Sequence, residues 1–223
     1  MEKLDAVVCL SGGLDSCVTL AEALRTHRAV GALHMVYGQR TAQRERRAFD
    51  EICDHYSIAR RLVTTQPALR EMGSSALTDP SIEVPRGAPG PGVPVTYVPF
   101  RNGQILSVAC AWAEAAGAES VYLGAVEEDS SGYPDCRESF FESFERAVEE
   151  GTKPETHLRI RTPLLHLGKV AIVRRGVELQ APLHLSWSCY VGESVACGQC
   201  ESCHLRRRGF AGAGVEDPIP YAD

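Results

Sequence analysis

The feature that most restricts the fold of this chain lies near its start. Residues 4–10 form a compact apolar run with two adjacent valines. The run passes directly into Ser11-Gly12-Gly13-Leu14-Asp15-Ser16, and then into helical spacing at Leu14, Val18, Leu20, Ala21 and Leu24. A short run without polar alternation suits a strand buried on both faces, and such strands belong to parallel sheets covered by helices. Residues 29–37 read as a second strand. Residues 41–56 read as a charged amphipathic helix with Ala48, Ile52 and Tyr56 on one side, and 60–65 as a third strand. This β-α-β-α-β order predicts a doubly wound α/β fold, Rossmann-like, with a parallel sheet and helices on both faces.

After the third strand the pattern breaks. Residues 67–99 hold Pro80, Pro85, Pro89, Pro91, Pro94 and Pro99 among glycines, and loops this long are usually functional or disordered. Helical spacing returns over 101–117, with Ile105, Leu106, Ala109 and Ala113 on the apolar face. A fourth strand over 120–125 takes in Gly124. A helix over 138–150 carries Phe140, Phe141 and Phe144, a fifth strand covers 157–163, and a helix covers 168–179. From Trp187 onward the chain is short of regular patterning. No apolar run reaches the ~18 residues of a bilayer span, and the start lacks the layout of a signal peptide. The net charge of −6 disfavours a long nucleic-acid track. A soluble cytoplasmic protein is expected.

The glycine turn has a definite chemistry. Two glycines let the backbone turn tightly and approach an anion. The N–H groups at the helix start point outward with the positive end of the dipole, and Ser11 and Ser16 add hydroxyl donors. Asp15 would repel a bare phosphate, so it is expected to hold a metal or to orient the turn. The pattern is neither a Walker loop nor a Rossmann fingerprint. Taken alone it also suits a plain strand-to-helix joint. As a hexapeptide, however, it resembles the S-G-G-x-D-S loop of the PP-loop ATP pyrophosphatases residue for residue. That resemblance implies an adenine nucleotide alpha hydrolase-like fold, with ATP cleaved between the α and β phosphates and an adenylate passed to an acceptor. It assigns nucleotide contacts to Leu10, Ser11, Gly12, Gly13, Leu14, Asp15 and Ser16, with Met35 on the second strand at the adenine edge and Gly124 ending the fourth.

Nine cysteines form the other strong signal. Cys9, Cys17, Cys53, Cys110 and Cys136 are scattered, whereas Cys189, Cys197, Cys200 and Cys203 lie within fifteen residues. An odd count in a reducing compartment argues for a metal site over a disulfide framework. Two C-x-x-C steps sharing Cys200, with Cys189 reaching back and Gly192 and Gly198 permitting tight bends, suit a tetrahedral structural Zn²⁺, one per chain. Four thiolates leave no open position for catalysis. An iron–sulfur cluster and unliganded thiols are the alternatives. His204 is expected to be an exposed helix residue, not a ligand. Arg206, Arg207 and Arg208 read either as a solvated helix face or as a contact with substrate or a dimer partner.

Three stretches between these signals carry further candidates. Arg101 could clamp a carboxylate or phosphate bidentately, and Asn102 could read an amide-like edge. Tyr133-Pro134-Asp135-Cys136-Arg137 offers Asp135 as a helix cap and Cys136 as a thiol whose pKa Arg137 could lower. Lys169 opens a helix, where its charge opposes the dipole, so a ligand anion is a natural partner. Each of these also reads as an ordinary helix-start or surface residue.

Together these pieces resemble the QueC family, the 7-cyano-7-deazaguanine synthases of queuosine biosynthesis. The resemblance runs along nearly the whole chain: the 11–16 loop, Tyr37-Gly38-Gln39-Arg40, Thr96-Tyr97-Val98-Pro99-Phe100-Arg101-Asn102, the 133–137 stretch, Thr162-Pro163-Leu164 with Lys169, and Ser188-Cys189-Tyr190 leading to the other three cysteines. Phe100 departs from it, since many members carry glycine there. The resemblance implies a ligase that converts 7-carboxy-7-deazaguanine and ammonia into the nitrile through adenylated acid and amide intermediates, with ATP as co-substrate and Mg²⁺. Asp15, Ser16, Arg101 and Lys169 are the expected catalytic residues; Arg101, Asn102, Tyr133, Asp135 and Arg137 the expected substrate contacts. Residues 1–186 would form the nucleotide-binding domain and 187–223 a zinc-binding segment packed on it, in a homodimer with no stable nucleic-acid partner and no membrane association. Rival readings are a QueC-like enzyme that joins a deazaguanine to another macromolecule, a PP-loop tRNA-modifying enzyme, which should be more basic, and a zinc-ribbon interaction module, which leaves the 11–16 loop without a purpose.

Overall fold

The computed structural model describes residues 3–88, 90, 92–127 and 132–222. Pro89 and Pro91 of the proline-rich loop, and Met1 and Glu2 at the start, lie outside the described residues. Strand β1 (Ala6–Cys9) is buried along its whole length. It pairs in parallel with β2 (Val30–Val36) on one side and β4 (Ser120–Leu123) on the other, so that Val7 faces Gly31 and Val121. β3 (Arg60–Thr65) adds beyond β2 and β5 (Arg159–Arg161) beyond β4, giving the all-parallel order β3-β2-β1-β4-β5 among the described residues. The fifth strand is thus shorter than its sequence suggests.

The absence of polar alternation in β1 now has a cause. Ala6 and Val8 pack with Cys17, Leu20, Phe49 and Ile52 from helices α1 (Leu14–Thr26) and α2 (Ala42–His55). Val7 and Cys9 pack on the opposite face with Leu106, Ala109, Cys110 and Phe141, from α4 (Arg101–Ala116) and α5 (Glu138–Gly151). Both faces are core, so both want apolar side chains. The strand order reverses between β1 and β4, and in such sheets the crevice beyond the strands' carboxyl ends at that point is where ligands bind.

The long loop is neither featureless nor loose. It opens with one helical turn, α3 (Ala68–Glu71), and Ala76, Leu77, Thr78, Val84, Thr96 and Val98 are buried. Arg40 pins it, with Nε donating to the Ala76 carbonyl at 2.7 Å and Nη2 to those of Asp79 at 2.9 Å and Ile82 at 2.7 Å. Further on, Arg86 forms an isolated bridge with Cys200, and the Gly87 N–H donates to the Gln199 carbonyl at 2.8 Å. The loop is a strap between the sheet and the cysteine segment.

The C-terminal region holds the helix expected around His204 and corrects the reading of Arg206. Helix α7 (Glu201–Ala213) follows α6 (Lys169–Glu178), although the sequence there shows little apolar periodicity. Gly209 and Gly212 stand where α7 presses on α6. A Cβ at 212 would come within 2.6 Å of Val170, and one at 209 within 3.0 Å of Lys169. Close approach replaces an apolar stripe. Arg206 is buried, at 1 % exposure. Its Nε donates to Asp217 at 2.9 Å, its Nη1 to Ser186 Oγ at 2.8 Å and its Nη2 to the Leu183 carbonyl at 3.2 Å. It is therefore neither a solvated charge nor a substrate contact; it anchors the tail. His204 is exposed, as expected. No described helix is long and apolar enough to cross a membrane.

Candidate functional site

A cavity of about 250 Å³ opens at the carboxyl ends of β1, β2 and β4. At one end lies the 11–16 turn. Ser16 Oγ donates to the Gly13 carbonyl at 3.0 Å and sits 3.0 Å from Ser11 Oγ, which accepts the Gly13 N–H at 3.2 Å. The two hydroxyls thus hold the turn open before any ligand arrives. Gly13 caps α1, whose first-turn N–H groups have no partner within the helix. The two glycines divide the work. Gly12 has φ of +91°, and a Cβ there would meet the Glu45 carbonyl at 2.6 Å. It does not line the cavity, whereas Gly13 does. Gly12 lets the loop bed against α2, and Gly13 faces the cavity. Leu10, Leu14, Met35 and Gly124 also line the cavity.

Lys169, opening α6, reaches across this end. Its Nζ donates to Asp15 Oδ2 at 2.6 Å. Asp15 Oδ1 is buried without a hydrogen-bond partner. Asp15 and Lys169 stand together beside the turn, an ion pair that leaves one carboxylate oxygen spare.

The other end is built around Arg101. Its Nη1 donates to the Tyr37 hydroxyl at 3.1 Å, and its guanidinium carbon lies 5.6 Å from the centre of the Tyr37 ring. Burial works against the Arg101 charge, but Tyr37, Tyr133 and Asp135 outweigh it and leave the guanidinium held firmly protonated. Burial pushes the Tyr133 hydroxyl up to about 12 against the pull of Arg101. Glu45 is pushed up by burial too, opposed by its hydrogen bonds from Thr41 at 2.8 Å and Gln39 at 3.1 Å. Gln39 also accepts the Tyr37 N–H at 2.9 Å. Of the 37–40 stretch, Gln39 braces the site from within and Arg40 holds the strap.

Asn102 and Asp135 hold each other. The Asn102 main-chain N–H donates to Asp135 Oδ2 at 2.9 Å, and its amide donates to the Asp135 carbonyl at 3.0 Å and to Cys136 Sγ at 3.2 Å. Asp135 therefore serves the start of α4 rather than that of α5, and it does not line the cavity; Asn102, Tyr133 and Cys136 do. Arg137 is exposed, precedes α5 and lies away from the cavity lining. Phe100 has φ of +55° and is 52 % exposed, its ring edge-on to Phe140. That left-handed backbone is where glycine carries no steric cost.

The cysteine segment forms one wall. The four Sγ atoms lie within 4.8 Å of one another. A tetrahedral ion with bonds of about 2.3 Å needs sulfurs roughly 3.8 Å apart, and Cys197 and Cys203 are at 4.0 Å. Cys189 Sγ accepts N–H groups from Gly192 at 3.1 Å and Cys197 at 3.3 Å. Hydrogen bonds from Cys200 and Cys203, with those N–H groups, pull its thiol far below the ordinary range. The donor set and spacing fit a metal ion. By contrast, burial pushes the isolated Cys17, Cys53 and Cys110 thiols up to about 12, which makes them inert.

A sequence profile described as queuosine biosynthesis protein QueC matches residues 5–214. The chain belongs to the QueC family. Among its relatives it is similar to the 7-cyano-7-deazaguanine synthases of Nautilia profundicola, 52 % identical with 97 % of each chain covered, and of Chlorobium chlorochromatii, 53 % identical with 98 % of this chain and 96 % of that one covered. That of Nitratiruptor is 51 % identical over 98 % of this chain and 99 % of that one. This QueC-family chain is an enzyme.

Several cavity residues of this QueC-family enzyme escape sequence reasoning. Trp187, Tyr190, Glu201 and Ser202 come from the cysteine segment and Glu45 from α2. Charged or aromatic residues in surface-like helices and beside metal ligands carry no local sign of facing a cavity. The nearest signal was that Glu201 stands between Cys200 and Cys203, so a metal holding those cysteines also fixes its backbone.

Proposed function

We propose that this enzyme converts 7-carboxy-7-deazaguanine, ammonia and ATP into 7-cyano-7-deazaguanine. One observation carries the reading: a single cavity has a glycine turn at a helix start at one end and a half-buried, firmly charged arginine at the other. A carboxylate is a poor electrophile because oxide must leave. At Arg101 it is held so that a carboxylate oxygen attacks the α-phosphorus of ATP, pyrophosphate leaves, and a mixed anhydride forms. Ammonia then displaces AMP to give the amide. The amide oxygen then attacks the α-phosphorus of a second ATP with loss of pyrophosphate, and departure of AMP with loss of the two amide protons gives the nitrile.

The chain's groups act by placement and charge. Main-chain N–H groups at Gly13 and the start of α1, with the Ser11 and Ser16 hydroxyls, are fixed dipoles for the departing pyrophosphate. Lys169 adds a point charge suited to phosphate, while the planar fork of Arg101 suits a carboxylate. Asp15 would hold Mg²⁺ through its spare oxygen, and the ion would neutralise charge building on the polyphosphate. Cys189, Cys197, Cys200 and Cys203 would hold a structural Zn²⁺, making residues 187–223 a zinc-binding segment on the 1–186 nucleotide domain. ATP–pyrophosphate exchange tests the first step. Exchange that depends on the deazaguanine acid supports the reading; exchange indifferent to it rejects the reading.

A further inference from the structure

Three carboxylates line the cavity among the described residues. Asp15 is paired with Lys169 at the phosphate end. Glu45 has both oxygens engaged, by Thr41 and Gln39. Glu201 differs. It is 4 % exposed, and its Oε2 accepts the Thr96 hydroxyl at 3.3 Å while Oε1 is buried with no partner. Thr96 in turn accepts the Tyr133 hydroxyl at 2.8 Å. A buried carboxylate oxygen without a donor is costly, and in a folded protein it asks for an explanation. Oε2 also keeps a second acceptor direction, and the terminal carboxylate torsion of glutamate is soft enough to turn both oxygens to an incoming group.

The surroundings narrow the ligand. Tyr133 and Tyr190 line the same cavity and lie within electrostatic reach of both Glu201 and Arg101. The cavity therefore offers a cation for an anionic substituent, flat aromatic side chains for a ring, and a carboxylate short of donors. We propose that Glu201 selects the heterocycle, accepting hydrogen bonds from a ring N–H and the adjacent exocyclic amine on an edge remote from the carboxylate held by Arg101. This deepens the proposed function and rests on it. A site built to receive two donors rejects a ring that lacks one of them, because its acceptor is then left unpaired.

The test compares 7-carboxy-7-deazaguanine with the analogue lacking the exocyclic amine, in wild type and Glu201→Gln. Measurements are kcat/KM for each acid, ATP affinity and zinc content. Wild type should prefer the amine-bearing acid by at least about 10-fold. Glu201→Gln should lose roughly 10- to 100-fold on that acid and far less on the analogue, bringing the ratio toward one with ATP affinity and zinc unchanged. An unchanged ratio in Glu201→Gln, or no preference in wild type, overturns the proposal alone. Should Glu201→Gln lose zinc, Thr96→Val decides, since it removes the donor to Oε2 without substituting any residue of the cysteine segment; a several-fold fall in preference supports the role and an unchanged preference overturns it. No turnover of the acid by wild type overturns the proposed function and this inference together.

Discussion

The main-chain N–H of Trp187 donates to the carbonyl of Gly12 at 2.8 Å. The residue that begins the cysteine segment is thereby bonded to the positive-φ glycine of the 11–16 turn. Trp187 is buried at 3 % exposure, packs in one cluster with Cys189, Cys200 and Cys203, and lies under the Arg44 guanidinium at 4.6 Å. Metal binding at such a site is folding free energy, and through Trp187 it would also support the 11–16 turn. Cys200→Ser is expected to lower zinc content and melting temperature together and to weaken ATP binding. Metal analysis, thermal melts and ATP calorimetry check this. One zinc per chain with full stability in that variant would contradict the four-cysteine site.

Gly12 and Gly13 should fail in different ways. Gly12→Ala puts a Cβ 2.6 Å from the Glu45 carbonyl at a φ of +91°, so it should destabilise the fold by about 1–3 kcal/mol. Gly13 has an ordinary extended backbone, with a Cβ position 3.3 Å from Ser11 Oγ. Gly13→Val should keep the fold, block the approach of the anion and abolish turnover. Thermal melts and ATP titration separate the two, and unchanged ATP affinity in Gly13→Val would move the nucleotide elsewhere.

Arg101 and Lys169 are both cations, but their substitutions should not be symmetric. Arg101→Lys keeps the charge and loses the fork, along with the bond to the Tyr37 hydroxyl. The expected loss is about 1.5–3 kcal/mol, or roughly 10- to 150-fold in kcat/KM. Lys169→Arg should be milder than Lys169→Ala, because phosphate accepts either cation. Steady-state kinetics with melting controls decide; wild-type kinetics from Arg101→Lys would reduce Arg101 to a helix-start residue.

The seam between α1 and α6 should show in the acid limb of stability. Glu22 is hydrogen-bonded to Arg175, which holds its carboxyl below the usual range against the opposing effect of burial. A depressed carboxylate contributes stability above its ordinary pKa, and that stability is lost as pH falls through the lower folded value. Glu22→Gln should therefore cost up to about 1 kcal/mol at neutral pH, with the gap from wild type closing at acid pH. Melting curves across that range check it, and a gap independent of pH would contradict the assignment.

Much of this was legible in the sequence, for physical reasons. β1 needs apolar side chains on both faces, so its run is continuous, and the turn that follows must contain Gly12 because α2 backbone lies where a side chain would go. The four cysteines meet within one short segment, so their spacing already stood out in the sequence. Other features left no local trace. α7 docks through Gly209 and Gly212 instead of an apolar stripe, and Arg206 lies buried because Asp217 and Ser186 arrive from elsewhere in the chain. Asn102 and Asp135 were read as ligand contacts; the structure joins them to each other, with Asn102 on the cavity wall and Asp135 Oδ1 left without a partner. Glu201 faces the cavity through tertiary placement alone, beside Thr96 of the strap.

The most direct measurement is mass spectrometry of the products formed from 7-carboxy-7-deazaguanine, ATP and ammonium by the zinc-loaded enzyme. The expected result is 7-cyano-7-deazaguanine, with the amide as an intermediate that rises and falls before it, and no product when ATP is omitted. Unaltered acid after complete incubation, or a product that carries no nitrogen from ammonium, would contradict the proposed reaction.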